Sequence, residues 1–238
     1  MNLDIDIGNT FLKWRLVSEQ RVVQKGSVLT QDVAQTTFQS ITDVVIEKVR
    51  VGSVASVERD KQLAGICRHL WQIEPVFAKT SMQCAGVINS YQDPSKMGVD
   101  RWLAMIAAYK VVKKAVVVID CGSAITVDYV TAEGKHQGGY IIPGLRLMRQ
   151  SLLQNTAQVR FEKDQTRGVT HPGVSTAEAV LHGSAYLFKA LAHELKRDLD
   201  SEVDMFITGG DGALMHELVA VGRFEPDLVM DGLIWVCS

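Results

Sequence analysis

With 238 residues, 47% of them hydrophobic and 22% charged, the chain has enough apolar material for a packed core and too much for a disordered segment. A net charge of -2 without any block of Lys and Arg excludes the electrostatic footprint of a nucleic-acid binder and leaves a small molecule as the expected ligand. No apolar run is long enough to span a bilayer and no secretory pattern opens the chain, so the expectation is a cytoplasmic protein with no membrane contact.

Cys67, Cys84, Cys121 and Cys237 are scattered without a C-x-x-C pair, which predicts buried free thiols rather than disulfides or a zinc site. The six histidines show no ligand spacing, and none is assigned to a metal.

From the N-terminus, Leu3 to Ile7 alternates, turns at Gly8-Asn9 and returns through Phe11 to Trp14, predicting a hairpin with the carboxylate of Asp6 near its tip. Arg21 to Ser27 suits a third strand, Gln31 to Lys48 a polar helix, and Val49 to Val54 another strand. Ser56 is a candidate N-cap for a helix through about Trp71, with Leu63, Ile66, Cys67 and Leu70 at helical spacing. Strands and helices in this order describe a mixed α/β lobe. Ala78 to Met97, with Asn89 and Asp93-Pro94 and with Gly98 just beyond, is expected to be mostly connecting structure, followed by a helix from Val99 to about Lys114. Asp100 and Arg101 open that helix. Asp100 suits the helix dipole as well as it suits a catalytic role.

Val116 to Ile119 then reads as a buried β-branched strand ending on Asp120, with a turn at Gly122-Ser123-Ala124 and a return through Ile125 to Tyr129. Asp6 matches Asp120 and Gly8 matches Gly122. Two such hairpins half a chain apart predict a duplicated fold, residues 1–114 and 115–238, each half giving one carboxylate and one phosphate-facing turn to a shared cleft. The run Gly138 to Gly144 is turn-rich, and a helix is expected from Leu145 to about Asn155. Residues 156–174 are expected to be irregular and mobile. Ser175-Thr176-Ala177-Glu178 is a capping box opening the longest helix, to about Leu199. Met205 to Gly212 reads as a strand ending in glycines, a third turn suited to a nucleotide.

Together these residues resemble the actin-like, sugar-kinase and Hsp70-like ATPase superfamily, and within it the type III pantothenate kinases. Asp6-x-Gly8-Asn9-Thr10-x-x-Lys13 matches the first phosphate motif, Gly98-Val99-Asp100-Arg101 the pantothenate motif, and Asp120-x-Gly122-Ser123-Ala124-x-Thr126 the second phosphate motif. Gly138-Gly139-x-Ile141-x-Pro143-Gly144 matches a further signature, and Thr208 to Asp211 stands where the adenosine turn should be. Ser123 replaces the more usual threonine, and either hydroxyl can donate to phosphate. No P-loop competes, since Gly134-Lys135 is followed by His136 and lacks the upstream glycine.

The resemblance implies an α/β fold of duplicated ribonuclease H-like (actin-like ATPase) lobes, mixed sheets flanked by helices with a cleft between them. It implies transfer of the γ-phosphoryl group of ATP to the primary hydroxyl of pantothenate, the first step towards coenzyme A. Asp6, Ile7, Gly8, Asn9, Thr10, Phe11, Leu12, Lys13 and Ser123 would meet ATP, with Asp6 orienting Mg²⁺ through water. Asp100 would be the general base; Tyr91, Gly98, Val99, Asp100, Arg101 and Thr176 would hold pantothenate; and Asp120 would bind a monovalent cation, K⁺ or NH₄⁺. A homodimer with shared sites is implied, Thr176 coming from the second chain. The phosphate turns by themselves also suit a kinase for another small hydroxylated substrate, or a nucleotide-binding regulator without turnover.

Overall fold

The computed structural model describes residues 1–154 and 170–237, so the predicted irregular segment lies mostly outside the described residues. The first expected hairpin is present as β1, Asn2–Ile7, and β2, Phe11–Ser18, with β3, Arg21–Leu29, antiparallel to β2. β4, Lys48–Ser53, runs parallel to β1, and β5, Val76–Phe77, parallel to β4. The sheet order is β3-β2-β1-β4-β5.

Alternation in β1 sends Leu3, Ile5 and Ile7 into a core with Leu12, Trp14, Phe38 and Val51, closed by Leu63, Ile66 and Cys67 of α1, Val57–Trp71. Ser56 caps α1 as expected, accepting from the Arg59 N–H at 3.4 Å. The polar helix expected over 31–48 does not form. Two 3₁₀ turns, Thr30–Asp32 and Gln35–Ile41, stand there instead. The buried residues Val33, Phe38, Ile41 and Ile46 are too irregularly spaced to make one helical stripe, and short turns bury them without one.

The connecting stretch contains a small hairpin, β6, Gln83–Cys84, with β7, Val87–Ile88. Next comes α2, Val99–Val112. It shows little amphipathic contrast because Val99 and Arg101 to Ala108 are all buried.

The second sheet is built from β8, Val116–Cys121, β9, Ala124–Val130, and β10, His136–Pro143. The glycine-rich run after Gly138, to which no strand was assigned, lies in this mostly exposed edge strand as far as Pro143. Glycines and missing alternation hide such an edge in the sequence. After α3, Leu145–Gln154, and α4, Thr176–Arg197, come β11, Asp204–Thr208, α5, Gly212–Val219, and β12, Arg223–Phe224. The order β10-β9-β8-β11-β12, with β9 antiparallel and β11 parallel to β8, repeats the first sheet strand for strand. Val117, Ile119 and Cys121 face a core closed by Phe188, Ala192 and Leu195 of α4 and by Met215 and Val219 of α5.

The final helix, α6, Leu228–Val236, belongs with the first unit. That unit comprises residues 1–113, 133–136 and 227–238, and the second 114–132 and 137–226. Gly232 of α6 lies so close to the backbone of Leu103 that no Cβ would fit, which lets α6 cross α2 at short range.

Candidate active site

In the first unit, Asp6 is the penultimate residue of β1 and pairs with Lys13 on β2 and Gly52 on β4. Residues directly opposite across a sheet share a face, so the carboxylate of Asp6 and the ammonium-bearing chain of Lys13 stand on the same side, away from Ile5 and Ile7. The turn between them is tied at three points. Gly8 N–H donates to the Phe11 carbonyl at 3.0 Å, Thr30 Oγ1 donates to the Gly8 carbonyl at 2.8 Å, and Thr30 N–H donates to the Thr10 carbonyl at 2.9 Å. Asn9 and Phe11 are exposed at this turn, and Gly8 and Thr10 half-buried, while Ile7 and Leu12 are buried core residues.

The second unit repeats these ties. Asp120 is penultimate in β8 and pairs with Thr126 and Thr208. Gly122 N–H donates to the Ala124 carbonyl at 3.0 Å, and Gly144 N–H to the Ser123 carbonyl at 3.0 Å. The Val54 N–H reaches the Ile7 carbonyl at 3.0 Å, and its counterpart, the Asp211 N–H, reaches Cys121 at 2.9 Å. The carboxylate of Asp120 is hemmed in by glycine. A Cβ on Gly209, which sits at φ +92°, would collide with Asp120 Oδ1 and the Cys121 backbone, and a Cβ on Gly122 would lie 3.4 Å from the same oxygen. At position 209 only glycine fits.

The run Gly98-Val99-Asp100-Arg101 sits at the start of α2, where Gly98 is the N-cap residue. The Arg101 N–H donates to Asp100 Oδ1 at 2.8 Å, so Asp100 lies in the first turn, where the helix end favours the charged carboxylate. Arg101 is 6% exposed, and its Nη1 donates to the Tyr91 hydroxyl at 3.0 Å. Tyr91 is pinned by its N–H donating to Asn89 Oδ1 at 3.0 Å, and Asn89 is itself buried. The structure thus brings Tyr91, Gly98, Asp100 and Arg101 together in the first unit. Thr176 lies in the second, exposed at the first position of α4, which Ser175 caps by accepting from the Glu178 N–H at 3.2 Å.

His136 was passed over in the sequence except as the residue that spoils a P-loop. It is buried beside Tyr91, their ring centroids 6.2 Å apart, and no local pattern in the sequence signals the contact.

The thiols offer no nucleophile. All four cysteines are free, and burial pushes Cys67 up to about 12. Burial also raises Cys121, and the negative charges of Asp120 and Asp211 add to the effect. A thiol so disfavoured as thiolate is inert. Among the described residues no group of three or more His, Cys, Asp or Glu side chains could hold a metal, and no helix is long and apolar enough to cross a membrane. Magnesium carried by a nucleotide usually needs only one or two protein carboxylates, a requirement Asp6 can meet.

Solved structures share the fold across nearly the whole chain. A Campylobacter jejuni protein described as a Baf family transcriptional activator matches with a TM-score of 0.59 at 20% identity, covering 98% of this chain and 95% of that one. A Sinorhizobium meliloti protein described as a 2-dehydro-3-deoxygalactonokinase matches with a TM-score of 0.57 at 12% identity, covering 98% and 95%. Two sheets of one topology, each carrying an aspartate and a glycine turn at the end of its first strand, give the chain the fold of these structures.

Residues 2–198 match the family model for type III pantothenate kinases. A type III pantothenate kinase of Pseudomonas syringae pv. syringae is 36% identical over 246 residues, covering 100% of this chain and 99% of the relative. The chain belongs to the type III pantothenate kinase family.

Proposed function

We infer that the protein transfers the γ-phosphoryl group of ATP to the primary hydroxyl of pantothenate, the first step towards coenzyme A. Family membership over the full chain carries this reading. Phosphoryl transfer needs positioning and charge neutralisation more than covalent chemistry, and the residues divide along those lines. The β1–β2 turn, from Asp6 through Ile7, Gly8, Asn9, Thr10, Phe11 and Leu12 to Lys13, is assigned to the ATP phosphates, with Ser123 as its counterpart on the second turn. Asp6 is the one carboxylate of that turn and is assigned to magnesium-bound water. When bound with ATP, the divalent ion supplies neutralisation of the phosphate charge.

Asp100 is assigned as the base that accepts the hydroxyl proton. The fork of Arg101, held by Tyr91, suits the carboxylate or amide end of pantothenate, with Gly98 and Val99 lining the same helix start. Asp120 is assigned to a monovalent cation, K⁺ or NH₄⁺. The glycine cradle around its carboxylate supports this, because an ion with oxygen ligands needs room that a Cβ would fill.

A homodimer completes the reading, Thr176 of one chain meeting the pantothenate held by the other. It is supported by an exposed stripe of small and apolar residues on α4, Ala179, Gly183, Tyr186, Leu187 and Ala190, opposite the buried Ala185, Phe188 and Ala192. The cytoplasm, where both substrates occur, is the assigned location.

Purified protein given ATP, Mg²⁺, K⁺ and pantothenate should release ADP only when pantothenate is present. Release independent of pantothenate, or none at all, overturns the assignment.

A further inference from the structure

Four residues leading into β10, Glu133–His136, belong with the first unit although the chain on both sides belongs with the second. They are clasped onto the β6–β7 hairpin. Ile88 N–H donates to the Gly134 carbonyl at 2.8 Å, and Ile88 forms a parallel bridge with Lys135. Gly134, at φ +80°, lies so near the Gly86 carbonyl that no Cβ fits, so glycine is required there by conformation and by space alike.

The clasp delivers His136, only 4% exposed, to the Tyr91 segment. Its Nδ1 lies 2.8 Å from Ser90 Oγ, and its ring stacks against Tyr91 at an interplanar angle of 28°. No helix or strand spans residues 89–93, so the two contacts fix consecutive residues of a segment that has no regular hydrogen bonding of its own. Tyr91 in turn accepts from Arg101. A continuous series of contacts therefore joins a buried imidazole to the guanidinium assigned to the acceptor.

We propose that His136 is a positioning residue for the acceptor pocket: by locking Ser90 and Tyr91 it holds the Arg101 fork where the anionic or amide end of the acceptor binds. The proposal rests on the assignment of Tyr91 and Arg101 to that pocket. Loss of His136 acts on binding of the acceptor and leaves ATP binding and the chemical step nearly untouched.

Steady-state kinetics of the full-length protein, varying pantothenate and ATP in turn, test it. His136→Ala should raise KM for pantothenate about tenfold, since a hydrogen bond and an aromatic contact are each worth a factor of a few. With only binding affected, kcat should stay within about threefold of wild type and KM for ATP should not move. Ser90→Ala and His136→Phe, which each remove one of the two contacts, should give smaller rises.

In a Tyr91→Ala background, His136→Ala should add less than about twofold, because no ring remains to be held. An unchanged KM for pantothenate in His136→Ala, or the same penalty with and without Tyr91, overturns the proposal. Arg101→Lys and Tyr91→Phe test the pocket assignment separately, and if neither raises KM for pantothenate that assignment fails whatever His136 does. Should His136→Ala not fold, Ser90→Ala and His136→Asn carry the same comparison.

Discussion

Asp4→Asn should cost the first unit about 4 kcal/mol, because it breaks a buried ion network from its centre. Asp4 is fully buried and accepts from Arg50 Nε at 2.6 Å and from Arg15 Nε at 3.1 Å, the two guanidinium side chains being 8% and 10% exposed. Burial alone would lower the pKa of Arg15, yet the carboxylates of Asp231 and Asp4 outweigh it and raise the value. The asparagine keeps the shape but leaves two cations in the interior without their shared anion, and each charged hydrogen bond lost is worth roughly 1.5–3 kcal/mol. Asp231 provides the contrast. It meets Arg15 Nη1 at 2.5 Å but is 46% exposed, so Asp231→Asn should cost no more than about 1 kcal/mol. All four tryptophans, Trp14, Trp71, Trp102 and Trp235, lie in the first unit, so urea unfolding followed by tryptophan fluorescence reads that unit. With a slope of about 2–3 kcal/mol per molar, the Asp4→Asn midpoint should fall by about 1.3–2 M. A fall no larger than that of Asp231→Asn would refute the claim that burial makes the difference.

Asp100→Asn should lower kcat by ~10²–10⁴-fold with little change in fold or in pantothenate binding, as measured by coupled ADP release and direct titration. A wild-type kcat would remove Asp100 from the role of base. Activity in Na⁺ buffer should rise on adding K⁺ or NH₄⁺, and Asp120→Ala should abolish that rise. Indifference to the monovalent ion would leave Asp120 a turn residue only. Inactive Asp100→Asn and Thr176→Ala chains should regain activity when mixed and allowed to exchange, since one site of the mixed dimer is then intact; a fully active monomer rules this out.

Both hairpins could be read in the sequence because alternation, an aspartate and a glycine turn all report on local structure. The N-caps at Ser56 and Ser175 were legible for the same reason: a hydroxyl meeting an N–H three residues on is a short-range event. Other features depended on distant partners. β10 is an exposed edge whose glycines carry no pattern, and the two-residue strands β5 and β12 exist only because β4 and β11 stand beside them. The helix expected over 31–48 failed because Phe38 and Ile41 are held by a core that includes Trp14, and the ring of Trp14 lies 6.1 Å from that of Phe38. Within the site, Asp6 and Lys13 were visible in a motif. The Tyr91–Arg101 bond and the His136 stack span 10 and 45 positions, and no local spacing foretells them.

The two copies of the fold have diverged where their chemistry diverges. Asp6 and Asp120 occupy the same place in the same topology, but the strand partners of Asp6 are Lys13 and Gly52, whereas those of Asp120 are Thr126 and Thr208. Direct partners share a face, so a cationic chain flanks the first carboxylate and two hydroxyl-bearing chains flank the second. A lysine beside Asp6 suits polyanionic phosphate. Hydroxyls beside Asp120 suit a hard ion that takes oxygen ligands. The duplication therefore does more than repeat a turn. With both strand neighbours exchanged, the same carboxylate position has a cationic flank in one unit and a hydroxyl-lined flank in the other, which supports the proposal of different roles for the two aspartates despite their matching place in the topology.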